Sequence, residues 1–267
     1  MPIFVQTLRG YRWPLVFLGL GLFGFSFLLC YTFQAFGGTE GLGRFLQALP
    51  SGLRSLLKGF GFFEPTARAY IANGYHDPRY LIILSGFAIG NAASALAGEV
   101  EQGTVLYLLA RPISRPQVVV WKMAALAVGV LALVTCGFLG TLAGAGTNGF
   151  LGQLPLWKLL GVQVMVFALV CLVYSVTMLL SAGSSERGQV LAISAGIFVV
   201  LYFVEFLAGI WSKAEFLGPI SPFHYFDPQD MVGAGGFPWA DFYVLTGAAL
   251  AASVLAVVVF QRRDITR

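Results

Sequence analysis

Two carboxylates and several basic residues are concentrated in one short polar stretch of this sequence. Glu99 and Glu101 stand two positions apart and are followed by Gly103 and Thr104, a pair that can begin a short helix. An apolar turn comes next, and then a basic turn that consists of Arg111, Pro112, Ser114 and Arg115. The stretch predicts a surface helix with an apolar face and charged ends that can bind a partner. Taken alone, it is also typical of any amphipathic connecting loop.

A third carboxylate, Glu205, lies inside a long apolar stretch. An ionisable group within a membrane-spanning segment is costly, and it suggests a functional site, here a transport path. Trp211 and Lys213 follow about two helical turns later. The alternative is therefore a carboxylate that simply reaches outward to water.

The sequence offers no motif with which the chain would bind a cofactor itself. His76 and His224 have no second ligand at a metal-binding spacing, so we expect no metal site. Gly19, Gly21 and Gly24 match the dinucleotide pattern G-x-G-x-x-G, but they lie within an apolar stretch, which favours a role in helix packing or flexibility. The sequence contains no phosphate-binding loop of the G-x-x-x-x-G-K-[ST] type. The chain is therefore not predicted to be an enzyme by itself, and any ATP would be bound by a partner.

The elements that position these residues must be membrane helices. Of the 267 residues, 58% are apolar and 10% are charged, and the mean hydropathy is +0.81. A soluble domain carries about 25% charged residues. Spans of roughly 20 residues each would use most of the chain, so we treat 1–267 as a single transmembrane domain without a soluble catalytic part. The formal net charge of +4 bears on membrane topology rather than on nucleic acid, which we do not expect as a partner.

The apolar stretches predict an all-α membrane protein with six transmembrane helices. They cover residues 13–36, 80–98, 118–146, 156–182, 190–211 and 239–260. Basic residues are concentrated beside the termini and in the loops that follow the second and fourth spans, whereas the opposite short loops hold Lys158 and Lys213. Because positive charge favours the cytoplasmic side, both termini are predicted to be cytoplasmic.

Between the first two spans, residues 42–60 predict amphipathic helices at the outer membrane surface. The apolar residues recur with helical spacing and are Leu42, Phe45, Leu46, Leu49, Leu53, Leu56, Leu57 and Phe60. Pro50 divides the segment into two short helices. These helices would lie in the headgroup plane or pack on the ends of the spans, and the sequence favours neither alternative.

The second predicted span contains a row of small residues, each four positions after the last. They are Gly86, Gly90, Ser94 and Gly98. Such a row lets another helix approach closely. We expect a helix-packing contact within the protomer, with a dimer interface or a moving gate as the alternatives.

The polar stretch described first resembles a known pattern. The run from Glu99 to Arg115, E-V-E-Q-G-T-V-L-Y-L-L-A-R-P-I-S-R, together with Lys122 after it, resembles the cytoplasmic loop of ABC-2 type transporter permeases. In that loop an acidic residue and Gly-Thr precede two leucines, a proline, Ser-Arg and a lysine. A Leu-Pro segment with a short amphipathic helix at 49–59 and the run F-Q-R-R-D-I from Phe260 extend the similarity over most of the chain.

The resemblance implies a permease that dimerises with a second copy or a related permease. It also implies two separate P-loop ATPase subunits, which carry ATP and Mg²⁺. In the family, the loop here at 99–116 provides a coupling helix for the ATPase. The matching contact residues are Glu99, Glu101, Gly103, Thr104, Arg111, Pro112, Ser114 and Arg115, with Lys122 as an anchor at the start of span three. The short loop with Glu186 and Arg187 would make a second, smaller contact.

The function expected from this resemblance is ATP-driven transport, and most characterised members of the family export their substrates. Aromatic residues make up 15% of the chain and polar side chains are scarce in the spans, which favours a hydrophobic or amphipathic substrate. The alternative is an ATP-independent secondary transporter or channel, which needs polar groups along its path. The expected location is the lipid bilayer of a cell membrane, as a multi-pass protein of prokaryotic inner or plasma membrane type.

Overall fold

A computed structural model describes residues 2–50, 52–53, 66–103, 114–233 and 235–263. These residues form helices joined by turns, and no β-strand occurs among them. The long helices are α1 (Pro2–Ala35), α6 (Arg115–Thr147), α7 (Leu156–Gly183), α8 (Arg187–Ile210) and α10 (Trp239–Arg262). The shorter ones are α2 (Gly38–Ala48), α3 (Ala67–His76), α4 (Pro78–Ala95), α5 (Ala97–Glu101) and α9 (Pro228–Val232). The segments Leu151–Gln153, Ser212–Ile220 and Pro222–Tyr225 are each 3-10 helical.

The five long helices are sufficiently long and apolar to cross a membrane. They correspond to the predicted spans one, three, four, five and six, so the chain is a multi-pass membrane protein. α1 begins at Pro2, before the predicted start of the first span at Trp13. Its first turns are amphipathic rather than uniformly apolar, and a hydropathy criterion therefore misses them.

The predicted span at 80–98 corresponds to α4, which has 18 residues and is not among the five. The predicted span continues to Gly98. The helix ends at Ala95, since Leu96 has φ −120° and ψ −58°, and α5 begins directly afterwards. A break inside a run of small residues leaves no trace in the hydropathy. The sixth membrane span stays a prediction.

α4 lies within the bundle, where it packs mainly on α7 and also on α6 and α8. Tyr80, Leu84 and Ala88 on its inner face are fully buried. Because other helices rather than lipid surround this face, α4 can carry Asn91 and several small residues without exposing them all to hydrocarbon.

Glycines on α6 allow α1 to pack along it at close range. An added Cβ at Gly140 would lie 2.3 Å from the carbonyl oxygen of Phe23, and one at Gly144 would lie 3.0 Å from that of Phe27. Small residues permit this kind of backbone contact between membrane helices. The sequence analysis did not single out this glycine face.

The three glycines of the dinucleotide-like pattern lie in the middle of α1. Gly19 faces α6, where an added Cβ would lie 3.2 Å from Cys136 Sγ, whereas Gly21 and Gly24 have open space beside them. The packing interpretation therefore holds within the protomer for Gly19.

The first of the two predicted amphipathic helices corresponds to α2. It ends at Ala48, and Leu49 is extended (φ −76°, ψ 142°), as expected for the residue before Pro50. Leu42 is buried on the bundle, while Arg44 and Glu40 form an exposed ion pair of 3.6 Å on the other side. Residues 54–65, which include most of the second helix, lie outside the described part of the chain.

The start of α1 and the end of α10 lie at one end of the bundle, called the terminal end here. At this end the rings of Phe4 and Trp121 are 6.2 Å apart, and Arg115 Nη1 donates to the carbonyl oxygen of Arg263 at 2.7 Å. The opposite end holds α2, α3, α9 and the 3-10 segments from Ser212 onward.

Candidate functional site

Glu99 and Lys122, both predicted site residues, form an ion pair at the terminal end. The Lys122 side chain is 4% exposed and that of Glu99 is 26% exposed. Lys122 Nζ also donates a hydrogen bond of 2.5 Å to the carbonyl oxygen of Ala95. Ala95 is the last residue of α4. A buried ammonium needs such partners. The lysine thus ties the start of α6 to the break between α4 and α5.

Ser181 of α7 holds the same break from the other side. Its Oγ accepts a hydrogen bond of 2.9 Å from the backbone N–H of Ala97 and donates one of 3.1 Å to the carbonyl oxygen of Ala93. These bonds satisfy backbone groups that the interrupted helix leaves without partners. The sequence analysis missed this residue, because a serine within an apolar span carries no distinguishing local signal.

Glu101 reaches the second predicted contact loop. Its Oε2 accepts a hydrogen bond of 2.7 Å from the backbone N–H of Arg187, where α8 begins. A carboxylate at a helix N-terminus is favoured by the helix dipole and by the free N–H groups. An added Cβ at Gly98 would lie 3.7 Å from Arg187 Cδ. The structure therefore brings the two loops into direct contact.

The end of the first loop is also anchored. The N–H of Ser114 donates to Gln117 Oε1 at 3.2 Å in a capping box that begins α6. Arg115 contacts Arg263 as described above. Gly103 has φ +68°, a conformation that favours glycine. Thr104, Arg111 and Pro112 lie outside the described residues.

Arg263 is a residue that the sequence analysis did not place in the site. Its Nη1 donates to the carbonyl oxygens of Ser184 at 2.7 Å and of Ala182 at 3.1 Å, and its Nη2 donates to Ser185 Oγ at 2.5 Å. The guanidinium thereby fixes the loop between α7 and α8. The sequence did contain one indication of this role, a basic residue just after the last apolar span. Basic side chains near the end of a helix can donate hydrogen bonds to its last carbonyl oxygens.

The terminal end therefore holds a connected set of charged residues. A family described as ABC-2 family transporter protein matches residues 15–265. The chain belongs to this ABC-2 family. No individual curated protein matches the chain closely enough to add a relative. An ABC-2 permease is the membrane component of an ABC transporter and is not itself catalytic.

In this permease the predicted packing row, which runs from α4 into α5, is open over part of its length. An added Cβ at Gly86 or at Gly90 would have no described atom outside its own helix within 4 Å, and Gly98 alone of the three glycines contacts another helix. Ser94 Oγ donates to the carbonyl oxygen of Gly90 at 2.7 Å. The contact predicted within the protomer is thus not made at Gly86 and Gly90 by the described residues, and a contact with a second copy stays a prediction.

Glu205 lies near the opposite end of the permease. Its Oε1 is 3.4 Å from His224 Nδ1 in the 3-10 segment Pro222–Tyr225, and its Oε2 is buried without a hydrogen-bond partner among the described residues. Among these residues, no group of three His, Cys, Asp or Glu side chains is placed to hold a metal ion. The Glu205 side chain is thus partly buried, at 22% exposed, and its role in a transport path stays a prediction.

Proposed function

We propose that this permease exports a hydrophobic or amphipathic substrate and is driven by separate ATPase subunits that bind the terminal end. The carboxylate of Glu101 on the N–H of Arg187 supports the proposal most directly. This hydrogen bond joins two loops that are far apart in the sequence into one surface. Each of these loops was predicted to contact an ATPase.

The charged residues at this end divide into an exposed set and a buried set. Glu101, Glu186 and Arg187 are exposed, so an ATPase surface could meet them directly. Lys122 is buried and paired with Glu99. The exposed set would bind the ATPase, and the buried pair would transmit its movement.

A displacement of α5 has a short route into the bundle. The break at Leu96 separates α5 from α4, and Lys122 and Ser181 connect this break to α6 and α7. ATP binding would favour one arrangement of these helices only if the ATPase subunits bind ATP more tightly in that arrangement than in the other. The α4–α5 break is the hinge in this mechanism.

The complete transporter would contain two ATPase subunits, which bind ATP and Mg²⁺, and a second permease. The termini and the charged surface would lie in the cytoplasm and α4 would be the sixth span, with the permease in a prokaryotic inner or plasma membrane. The open space beside Gly86 and Gly90 supports α4 as part of the contact with the second permease.

Charge reversal at Glu186 tests the proposed contact. We expect Glu186→Lys to reduce the amount of P-loop ATPase that co-purifies with the tagged permease from its native cells, as measured by quantitative mass spectrometry. Glu40→Lys is the matched control, because Glu40 is an exposed glutamate at the opposite end. Equal recovery with both variants would contradict the contact, and substrate transport without ATP would favour a secondary transporter.

A further inference from the structure

An apolar cavity of about 400 Å³ lies at the opposite end of the bundle from the charged surface. It is formed where α7 and α10 begin, beside α9. Its lining includes Trp157, Lys158, Gly161, Met231, Phe237 and Trp239. The volume is in the range of small-molecule binding sites.

The cavity lies where the membrane interface is expected. α7 and α10 are both candidate spans, and the cavity is at the first turn of each. Trp157 is 67% exposed and Trp239 is 60% exposed, and tryptophans at the ends of spans occupy the headgroup level. Leu160 and Val164, farther along α7, are also exposed and line the cavity. The cavity therefore continues from the headgroup level toward the hydrocarbon.

The side chain of Lys158 is part of the lining, and its positive charge lies beside the apolar surface. Its Nζ donates to the carbonyl oxygens of Gly233 and Gly235, the latter at 3.3 Å, and lies 5.7 Å from the centre of the Trp157 ring. An ammonium has three donors, so one N–H is left for another acceptor. The two carbonyl oxygens hold the charge in place without neutralising it.

We propose that this cavity binds one acyl chain of a membrane phospholipid, whose phosphate group is bound by Lys158. The apolar lining disfavours a polar solute, because burying unpaired polar groups is costly. Met231 can adapt its shape to a flexible chain. The absence of a side chain at Gly161 keeps the cavity open, since an added Cβ would lie 3.2 Å from Phe237 Cδ2. The bound lipid would join α7, α9 and α10 at this end.

This inference does not depend on the proposed ATPase contact. The test uses the full-length permease in detergent with added palmitoyl-oleoyl-phosphatidylglycerol, and native mass spectrometry counts the phospholipids retained per protomer. We expect the wild type to retain one and Gly161→Leu to lose it, because the leucine fills the cavity. Gly247→Leu is the matched control, since Gly247 is exposed on α10 with open space beside it.

A second pair of variants tests the phosphate contact. Lys158→Ala should lose the retained phospholipid, whereas Lys213→Ala should keep it, because Lys213 is exposed and is not in the lining. The proposal would be overturned if Gly161→Leu and Lys158→Ala both retained the phospholipid at the wild-type level. Recovery of the ATPase with these variants should match the wild type, so failure here is distinguishable from failure of the proposed coupling contact.

Discussion

Glu101 Oε2 accepts a hydrogen bond of 2.7 Å from the backbone N–H of Arg187, 86 positions later in the chain. This one bond joins the loop after α4 to the first turn of α8. It uses a carboxylate at a helix N-terminus, where negative charge and free N–H groups are complementary. The loops that the resemblance implied as two separate contacts are therefore parts of one surface.

Loss of this carboxylate should loosen the start of α8. Glu101→Ala removes a helix-end interaction of about 1 kcal/mol, so we expect faster hydrogen exchange at the backbone amides around residues 187–190. Glu186→Ala is a matched control, because it removes an exposed carboxylate one residue away but leaves the bond to Arg187. Equal exchange in the two variants would show that the bond does not stabilise this turn.

Removal of Glu99 should destabilise the permease through Lys122. Glu99→Leu leaves a buried ammonium without its counter-charge, which costs about 3 kcal/mol in comparable cases. The double variant Glu99→Leu with Lys122→Met should recover much of this loss, because two apolar side chains can replace a buried pair. Thermal unfolding in detergent measures both. Additive losses in the double variant would contradict the pairing.

The close contact between α1 and α6 predicts a strong effect of a small substitution. Gly140→Ala places a Cβ 2.3 Å from the carbonyl oxygen of Phe23, which forces the helices apart and costs about 2 kcal/mol. Gly146→Ala on the same helix meets no atom within 4 Å and should be neutral or slightly stabilising. The two melting temperatures, compared with wild type, decide the point. The contact would be contradicted if the melting temperature of Gly140→Ala were no lower than that of Gly146→Ala.

Acid should weaken the opposite end of the bundle through His76. Its ring stacks on Phe226 at 5.6 Å and its Nδ1 is 3.1 Å from the carbonyl oxygen of that residue. Burial lowers the pKa of His76, and the nearby carboxylates of Asp227 and Asp77 offset part of this shift.

The sign of the effect follows from this lowered pKa. The unfolded chain takes up a proton near the ordinary value of about 6.5, whereas folded His76 stays neutral to lower pH. Its contribution to the free energy of unfolding therefore falls as the pH decreases below about 6.5. His76→Phe keeps an aromatic ring but cannot titrate, so its melting temperature should depend less on pH between 7 and 5. Parallel curves for the two proteins would exclude this role for His76.

The open face of α4 predicts a dimer contact. Gly86→Leu adds bulk where an added Cβ meets nothing within the protomer, so we expect an unchanged melting temperature but a shift from dimer to monomer by light scattering in detergent. Gly247→Leu, at an open position on α10, should leave the dimer intact. A dimer that persists in Gly86→Leu would place the interface elsewhere.

Much of the fold could be predicted from the sequence because its signals are local. Long apolar runs predicted the five candidate spans, and the Leu-Pro step predicted the end of α2. The short polar stretch around Glu99 and Glu101 indicated the family that the match over residues 15–265 establishes. Each of these features depends on neighbours within one or two helical turns.

The break at Leu96 and the role of Ser181 were not predictable in this way. No motif in the surrounding sequence marks either position, and Ser181 has its effect through Ala93 and Ala97, more than 80 positions earlier in the chain. The guanidinium of Arg263 is a similar case, because its carbonyl partners lie about 80 positions earlier in the chain.

The sequence by itself therefore determined the class of protein, most of its spans and the loop that carries its charge. Only the tertiary structure decided that Lys122 pairs with Glu99, that Glu101 contacts Arg187 and that Gly86 faces open space. Hydropathy and helical period are set by residues close together in the chain. The rotation and height of one helix relative to another are set by how all their faces pack together, and these decide which side chains meet.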